Sequence, residues 1–183
     1  MRVLLIGGSK SGKSSLAQEL VLRLSDGSRT IYWAAMEPVD DEDDARIARH
    51  VEERAGLGFE TVECGRNISS SAEKALGSSV LFDSVTALLA NEMFAEGSID
   101  TEAGAKAAEE LIVLSNSAQN FVCVCDDIFC DGAVYDELTE RYRFSLALVL
   151  RRLAQEFEAV CEVVCGMPIT VKGELPIGPA VDL

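Results

Sequence analysis

Eight residues near the start of the chain carry the clearest chemistry in the sequence: Gly7-Gly8-Ser9-Lys10-Ser11-Gly12-Lys13-Ser14. Their spacing is G-x-x-x-x-G-K-[ST], that of a phosphate-binding P-loop. Gly7 and Gly12 permit backbone angles that turn successive N–H groups inward around an anion. A helix beginning at this point adds the positive end of its dipole. Lys13 can reach the β- and γ-phosphates of a nucleoside triphosphate, and the Ser14 hydroxyl can ligate Mg²⁺. A P-loop also needs a carboxylate at a neighbouring strand end on the metal side. Asp83, after Val80-Leu81-Phe82, has that position, and Asp127, after Val122–Cys125, competes for it.

A second group is built on the chain's single histidine. Arg46, His50 and Arg54 are four residues apart and would share one face of a helix, with Ile47 and Val51 as an apolar stripe beside them. Such a basic face could meet phosphates, and neutral imidazole is nucleophilic near pH 7. The plainer alternative is an exposed helix laced with salt bridges, carrying an ordinary surface histidine. The acidic run Asp40–Asp44 suits the start of that helix.

The elements that must position these residues alternate between strand and helix. Val3–Ile6 is a short apolar run ending in Gly-Gly, and Leu16, Leu20 and Leu24 then recur at helical spacing within Ser14–Leu24. Strands are expected at Thr30–Ala35, Phe59–Cys64, Ser79–Asp83 and Phe121–Cys125. Helices are expected over Asp41–Arg54, Val85–Phe94, Thr101–Ser115 and Tyr135–Phe157, with a polar loop at Ala95–Asp100. Val160–Cys165 and Ile169–Lys172 form a closing strand pair through Gly166-Met167-Pro168. This order predicts an α/β fold of the P-loop NTPase (RecA-like) type, a mainly parallel sheet with helices on both faces. One domain spanning 1–183 is expected, since the chain is of single-domain length and shows no repeat or linker.

Composition narrows the partners. A net charge of −15 argues against nucleic acid or an anionic membrane as partner. The six cysteines form no CxxC pair and several lie in apolar runs, so reduced, buried thiols are expected rather than a zinc site or disulfide framework. Val3–Ile6 is too short for a signal peptide and no later run reaches membrane-spanning length. A cytoplasmic protein is expected.

Taken together, these segments resemble the bifunctional adenosylcobinamide kinase/adenosylcobinamide-phosphate guanylyltransferases of cobalamin biosynthesis. Beyond Leu4–Ser14, Tyr32-Trp33-Ala34-Ala35 is similar to the family's Y-I-A-T strand. The stretch Asp41-Glu42 … Arg46-Ile47 … His50 … Arg54 … Glu63 resembles its D-E-M … R-I … H … R … E segment. Leu81-Phe82-Asp83-Ser84-Val85-Thr86 … Asn91 resembles L-[IL]-[DE]-C-[LI]-T … N, and Val163–Pro168 with Lys172 resembles V-V-S-G-I-P … K. The resemblance implies two reactions: phosphorylation of adenosylcobinamide by ATP or GTP, and GMP transfer from GTP through a guanylylated histidine, which falls on His50. It further implies that Lys13, Ser14 and Asp83 contact phosphate and Mg²⁺, that Arg46, Arg54 and Glu63 contact nucleotide, and that the enzyme is a homotrimer.

Two segments depart from the pattern. Cys125-Asp126-Asp127-Ile128-Phe129 stands where the family has T-N-E-V-G. Arg143-Phe144 … Ala147 … Leu150-Arg151 stands where it has R-D … G … N-Q, and leucine cannot supply the hydrogen bonds of an asparagine amide. They keep two other readings open: a P-loop small-molecule kinase with guanylyl transfer lost or its substrate changed, and a nucleotide-binding relative without turnover.

Overall fold

Strand β1 (Arg2–Gly7) lies inside a seven-stranded sheet of order β3-β2-β4-β5-β1-β6-β7. The structure is a computed structural model that describes residues 1–38, 51–52, 54–95 and 99–176. The other strands are β2 (Thr30–Ala34), β3 (Glu60–Glu63), β4 (Ser79–Asp83), β5 (Asn120–Asp126), β6 (Ala159–Val164) and β7 (Met167–Lys172). All pairings are parallel except β6 with β7, which run antiparallel as a closing pair.

Alternation along each strand builds the two sides of the sheet. Val3 and Leu5 of β1, Tyr32 of β2, Leu81 of β4 and Val122 and Val124 of β5 pack with α1 (Lys13–Ser25) through Leu16, Ala17, Leu20 and Val21. Leu4, Ile31, Trp33, Val80, Phe82, Phe121 and Cys123 face the other way. There they meet α2 (Val85–Met93), α3 (Ala103–Ser117) and α4 (Glu137–Glu156). The result is the expected three-layer arrangement with helices on both faces. Phe82, Phe121 and Phe157 are fully buried, and the Phe121 and Phe157 rings meet edge to face at 5.9 Å. Burying each such ring stabilises the fold by about 1.5–3 kcal/mol.

The expected elements are found with shifts of one or two residues at most ends. A 3-10 helix, Ile68–Ala75, was not legible in the sequence. Its start is held by two carboxylates: Asn67 N–H donates to Glu92 at 2.7 Å and Ile68 N–H to Glu110 at 3.0 Å. Most of the helix expected over 41–54 lies outside the described residues, and with it Arg46 and His50. Arg54 is described and is not helical: it sits in a turn whose carbonyl accepts from Leu57 N–H at 3.1 Å. All six cysteines are free, with Cys123, Cys125 and Cys161 buried and Cys130 and Cys165 exposed. Among the described residues no helix is long and apolar enough to cross a membrane.

Candidate functional site

Because β1 to β6 run parallel, their C-terminal ends meet at one edge, where open α/β sheets place ligands. Gly7 registers with Asp126, and Ala34 with both Asp83 and Glu63. The candidate residues on the described chain therefore converge without any long-range coincidence.

The P-loop leaves β1 at Gly7 and enters α1 at Lys13. Gly12 caps the helix at φ 91° and Lys10 also takes a left-handed φ of 60°. The turn is closed by Ser11 N–H donating to the Gly8 carbonyl at 3.2 Å, and by Gly166 N–H donating to the Ser11 carbonyl at 2.7 Å. Glycine is required at Gly7 by space: an added Cβ would lie 2.6 Å from Ser11 Oγ and 2.7 Å from the Val163 carbonyl. Gly8, Ser9 and Lys10 are open to solvent, Ser11 and Ser14 are half-buried, and Lys13 is buried. Ser11 Oγ is buried without a hydrogen-bond partner. A buried polar atom left unpaired in a glycine-rich turn at a helix start fits an anion.

Lys13 Nζ donates to the Gly8 carbonyl at 3.2 Å and pairs with Asp126 Oδ1 at 2.7 Å. The sequence points to Asp83 and Asp127, and Asp126 is the acid that meets Lys13. The partner of Lys13 follows from the strand ladder: Asp126 registers with Gly7, whereas Asp127 gives its N–H to the Gly7 carbonyl and turns its carboxylate to Phe129 N–H at 2.9 Å. Asp83 ends β4, which pairs with β2 and β5, so one strand separates it from the P-loop strand. The expected neighbouring-strand position is thus corrected, although Asp83 stays on the same edge. Its Oδ2 accepts from Tyr32 OH at 2.8 Å.

Between the ends of β2, β3 and β4 lies a cavity of about 600 Å³. Arg54, Glu63, Asp83, Arg66, Tyr32 and Glu37 supply its polar lining. The Arg54 guanidinium stacks over the Tyr32 ring at 3.4 Å, is 8% exposed, and keeps Nη1 buried without a partner. Asn91 ties the rim together, donating to the carbonyls of Ala35 at 2.7 Å and Gly65 at 3.1 Å. Trp33 Nε1 donates to the Cys64 carbonyl at 3.0 Å and fixes the floor.

A short relay links the two parts of the site. Ser84 Oγ caps α2 by accepting from Ala87 N–H and lies 2.8 Å from Thr86 Oγ1, which donates to Asp126 Oδ2 at 3.0 Å. Tyr142 OH donates to the Thr86 carbonyl at 2.8 Å, and burial pushes its phenol well above the ordinary range, so it remains a neutral donor. Ser14, Asp83 and Asp126 are hard oxygen donors of the kind Mg²⁺ takes. No group of three or more acidic, histidine or cysteine side chains gathers for a metal among the described residues.

The departures noted in the sequence fall in two places. Ile128 and Phe129 pack against the core, and Leu150 belongs to that core on α4. Phe144 is exposed, and Arg143 donates to the Phe129 carbonyl at 3.4 Å.

Residues 3–171 match the family described as cobinamide kinase / cobinamide phosphate guanyltransferase. The bifunctional adenosylcobalamin biosynthesis protein CobU of Salmonella typhimurium is 29% identical over 185 residues, covering 94% of this chain and all of that protein. The corresponding CobP of Pseudomonas aeruginosa is 27% identical over 176 residues, covering 95% of this chain and 99% of its own length. A solved structure, the flagellar accessory protein FlaH of Methanocaldococcus jannaschii, aligns with a TM-score of 0.48 at 12% identity, covering 94% of this chain and 78% of that one. With a match across nearly its whole length, the chain belongs to the cobinamide kinase / cobinamide phosphate guanyltransferase family.

Proposed function

We propose that the protein phosphorylates adenosylcobinamide with a nucleoside triphosphate and then transfers GMP from GTP to the phosphorylated corrinoid. The observation that carries this reading is a closed P-loop, with Lys13 and an unpartnered Ser11 Oγ, beside a cavity lined by an unpartnered Arg54 Nη1. One part suits a triphosphate, and the other is roomy enough for a further portion of a ligand.

In the first reaction the hydroxyl oxygen of the aminopropanol arm attacks the γ-phosphorus. The bond to the β,γ-bridging oxygen breaks, the hydroxyl proton passes to water, and the nucleoside diphosphate leaves. Lys13 and the inward N–H groups of Gly7–Ser14 hold the phosphates and stabilise charge on the leaving oxygen. In the second, an imidazole nitrogen of His50 attacks the α-phosphorus of GTP, and pyrophosphate leaves. A phosphate oxygen of the corrinoid then displaces the histidine, giving adenosylcobinamide-GDP. Arg46, Arg54 and Glu63 would hold the nucleotide. Mg²⁺, held by Ser14 and Asp83 together with the phosphates, would supply charge neutralisation. The enzyme is proposed to act in the cytoplasm as a homotrimer.

The test uses GTP labelled at the α-phosphate. An acid-labile, alkali-stable protein adduct that His50→Ala abolishes is the expected result. Absence of the adduct with ATP-dependent phosphorylation of cobinamide intact would leave a kinase alone. Loss of both with nucleotide still bound would refute the enzymatic reading for this substrate. Lys13→Ala should weaken triphosphate binding at least tenfold, as loss of a charged hydrogen bond to phosphate requires.

A further inference from the structure

Lys13 does not wait for phosphate as a free cation. Its ammonium is buried against Asp126 Oδ1 at 2.7 Å, with the two side chains 10% and 26% exposed. Asp126 cannot swing away easily. Its backbone is fixed in the β5–β1 ladder opposite Gly7, and its second oxygen accepts from Thr86 Oγ1 at 3.0 Å. Thr86 in turn is held by Ser84 Oγ and by Tyr142 OH on its carbonyl.

We infer that Asp126 is an internal counter-ion that an incoming triphosphate must displace from Lys13, and that it thereby makes nucleotide admission depend on a divalent cation. This rests on the reading of Gly7–Ser14 as the triphosphate site. When Lys13 turns to phosphate, the anchored Asp126 carboxylate stays behind beside a second anion. An ion pair broken at one partner leaves an uncompensated charge, and like charges at close range repel strongly where water is scarce. A bare triphosphate meets that repulsion in full. A triphosphate carrying Mg²⁺ brings two positive charges to the same place and meets less of it. Asp126 thus selects the metal-bound form of the nucleotide without contacting base or sugar.

Isothermal titration with the β,γ-imido analogues of ATP and GTP, in Mg²⁺ and in EDTA, tests this on the full chain. Asp126→Asn keeps the size and the hydrogen bond from Thr86 but removes the charge. It should raise affinity for the metal-free analogues about tenfold and for the Mg²⁺ complexes only about threefold, the scale of a partly screened ion pair. The ratio of Mg²⁺ to EDTA affinity should fall accordingly, a change that mere loosening of the loop would not produce. Asp126→Ser removes the charge in a shorter side chain and serves if D126N melts early. Equal affinities for wild type and variant, or an unchanged ratio, would overturn the inference alone. Failure of every protein to bind either analogue would overturn the phosphate-site reading and this inference with it.

Discussion

Gly12→Ala offers the sharpest check on the geometry of the loop. Gly12 holds φ 91° at the start of α1, a region that costs a residue with a Cβ about 1–2 kcal/mol. The new methyl would also lie 2.9 Å from Gly166 Cα and 3.3 Å from Gly166 N. Both are backbone atoms pinned by the Gly166 bond to Ser11, so relief requires moving the β6–β7 turn. Overpacking of this kind adds about 1–2 kcal/mol. The sum is about 2–4 kcal/mol, and at about 2–4 °C per kcal/mol for a chain of this size the melting temperature should fall by roughly 4–16 °C. Gly8→Ala is the control, since a Cβ there meets nothing within 4 Å and the backbone is not left-handed. Thermal melts followed by circular dichroism would show G8A within about 1–2 °C of wild type, as an unopposed surface substitution should be. If G12A and G8A melted together, the account of the loop's closure would be wrong.

Asn91→Ala should lower stability in urea titrations by about 1–3 kcal/mol, because the Ala35 and Gly65 carbonyls lose their donor. Asn91→Asp should do no better, as a carboxylate has no N–H to give. Trp33→Phe should cost about 1–3 kcal/mol by circular dichroism, through the lost bond to the Cys64 carbonyl and the space left in the core. At Glu110, burial first and the Glu92 carboxylate second push the carboxyl above the ordinary range, against the pull of Ile68 N–H, Lys106 and Ser69. The folded chain therefore holds that proton more tightly than the unfolded chain. Its contribution to stability is present at low pH and is lost as pH rises through the folded value. Glu110→Gln stays neutral, so its stability relative to wild type should grow from the ordinary carboxyl range upward in urea titrations at a series of pH values. A flat difference would contradict the assigned shift.

Much of this arrangement was legible because it depends on local pattern. The P-loop spacing, the short apolar runs of β1, β2, β4 and β5, and the leucine repeat of α1 each name their own element. Asp83 could be found as an acid at a strand end, but strand order could not. Only the order β2-β4-β5-β1 shows that Asp126, not Asp83 or Asp127, reaches Lys13. Leu150, noted as a departure from the family's asparagine, lies on a helix face that turns to the core, which the sequence pattern alone did not show. The 3-10 helix escaped notice since its start depends on carboxylates from α2 and α3, far along the chain. Arg54 was expected on a helical face and is placed instead by stacking on Tyr32.

The bond from Gly166 to the Ser11 carbonyl also sets an order of events during synthesis. The P-loop precedes its partners in the chain: its strand β1 pairs with Asn120–Asp126 and Ala159–Val164. Its last clasp comes from Gly166. Contacts of such long sequence separation cannot form before the later partner exists, and closing them is slow. A nascent chain therefore carries Gly7–Ser14 without this clasp until the turn after β6 has been made. The closed shape of Gly7–Ser14 thus depends on a turn made much later in the chain.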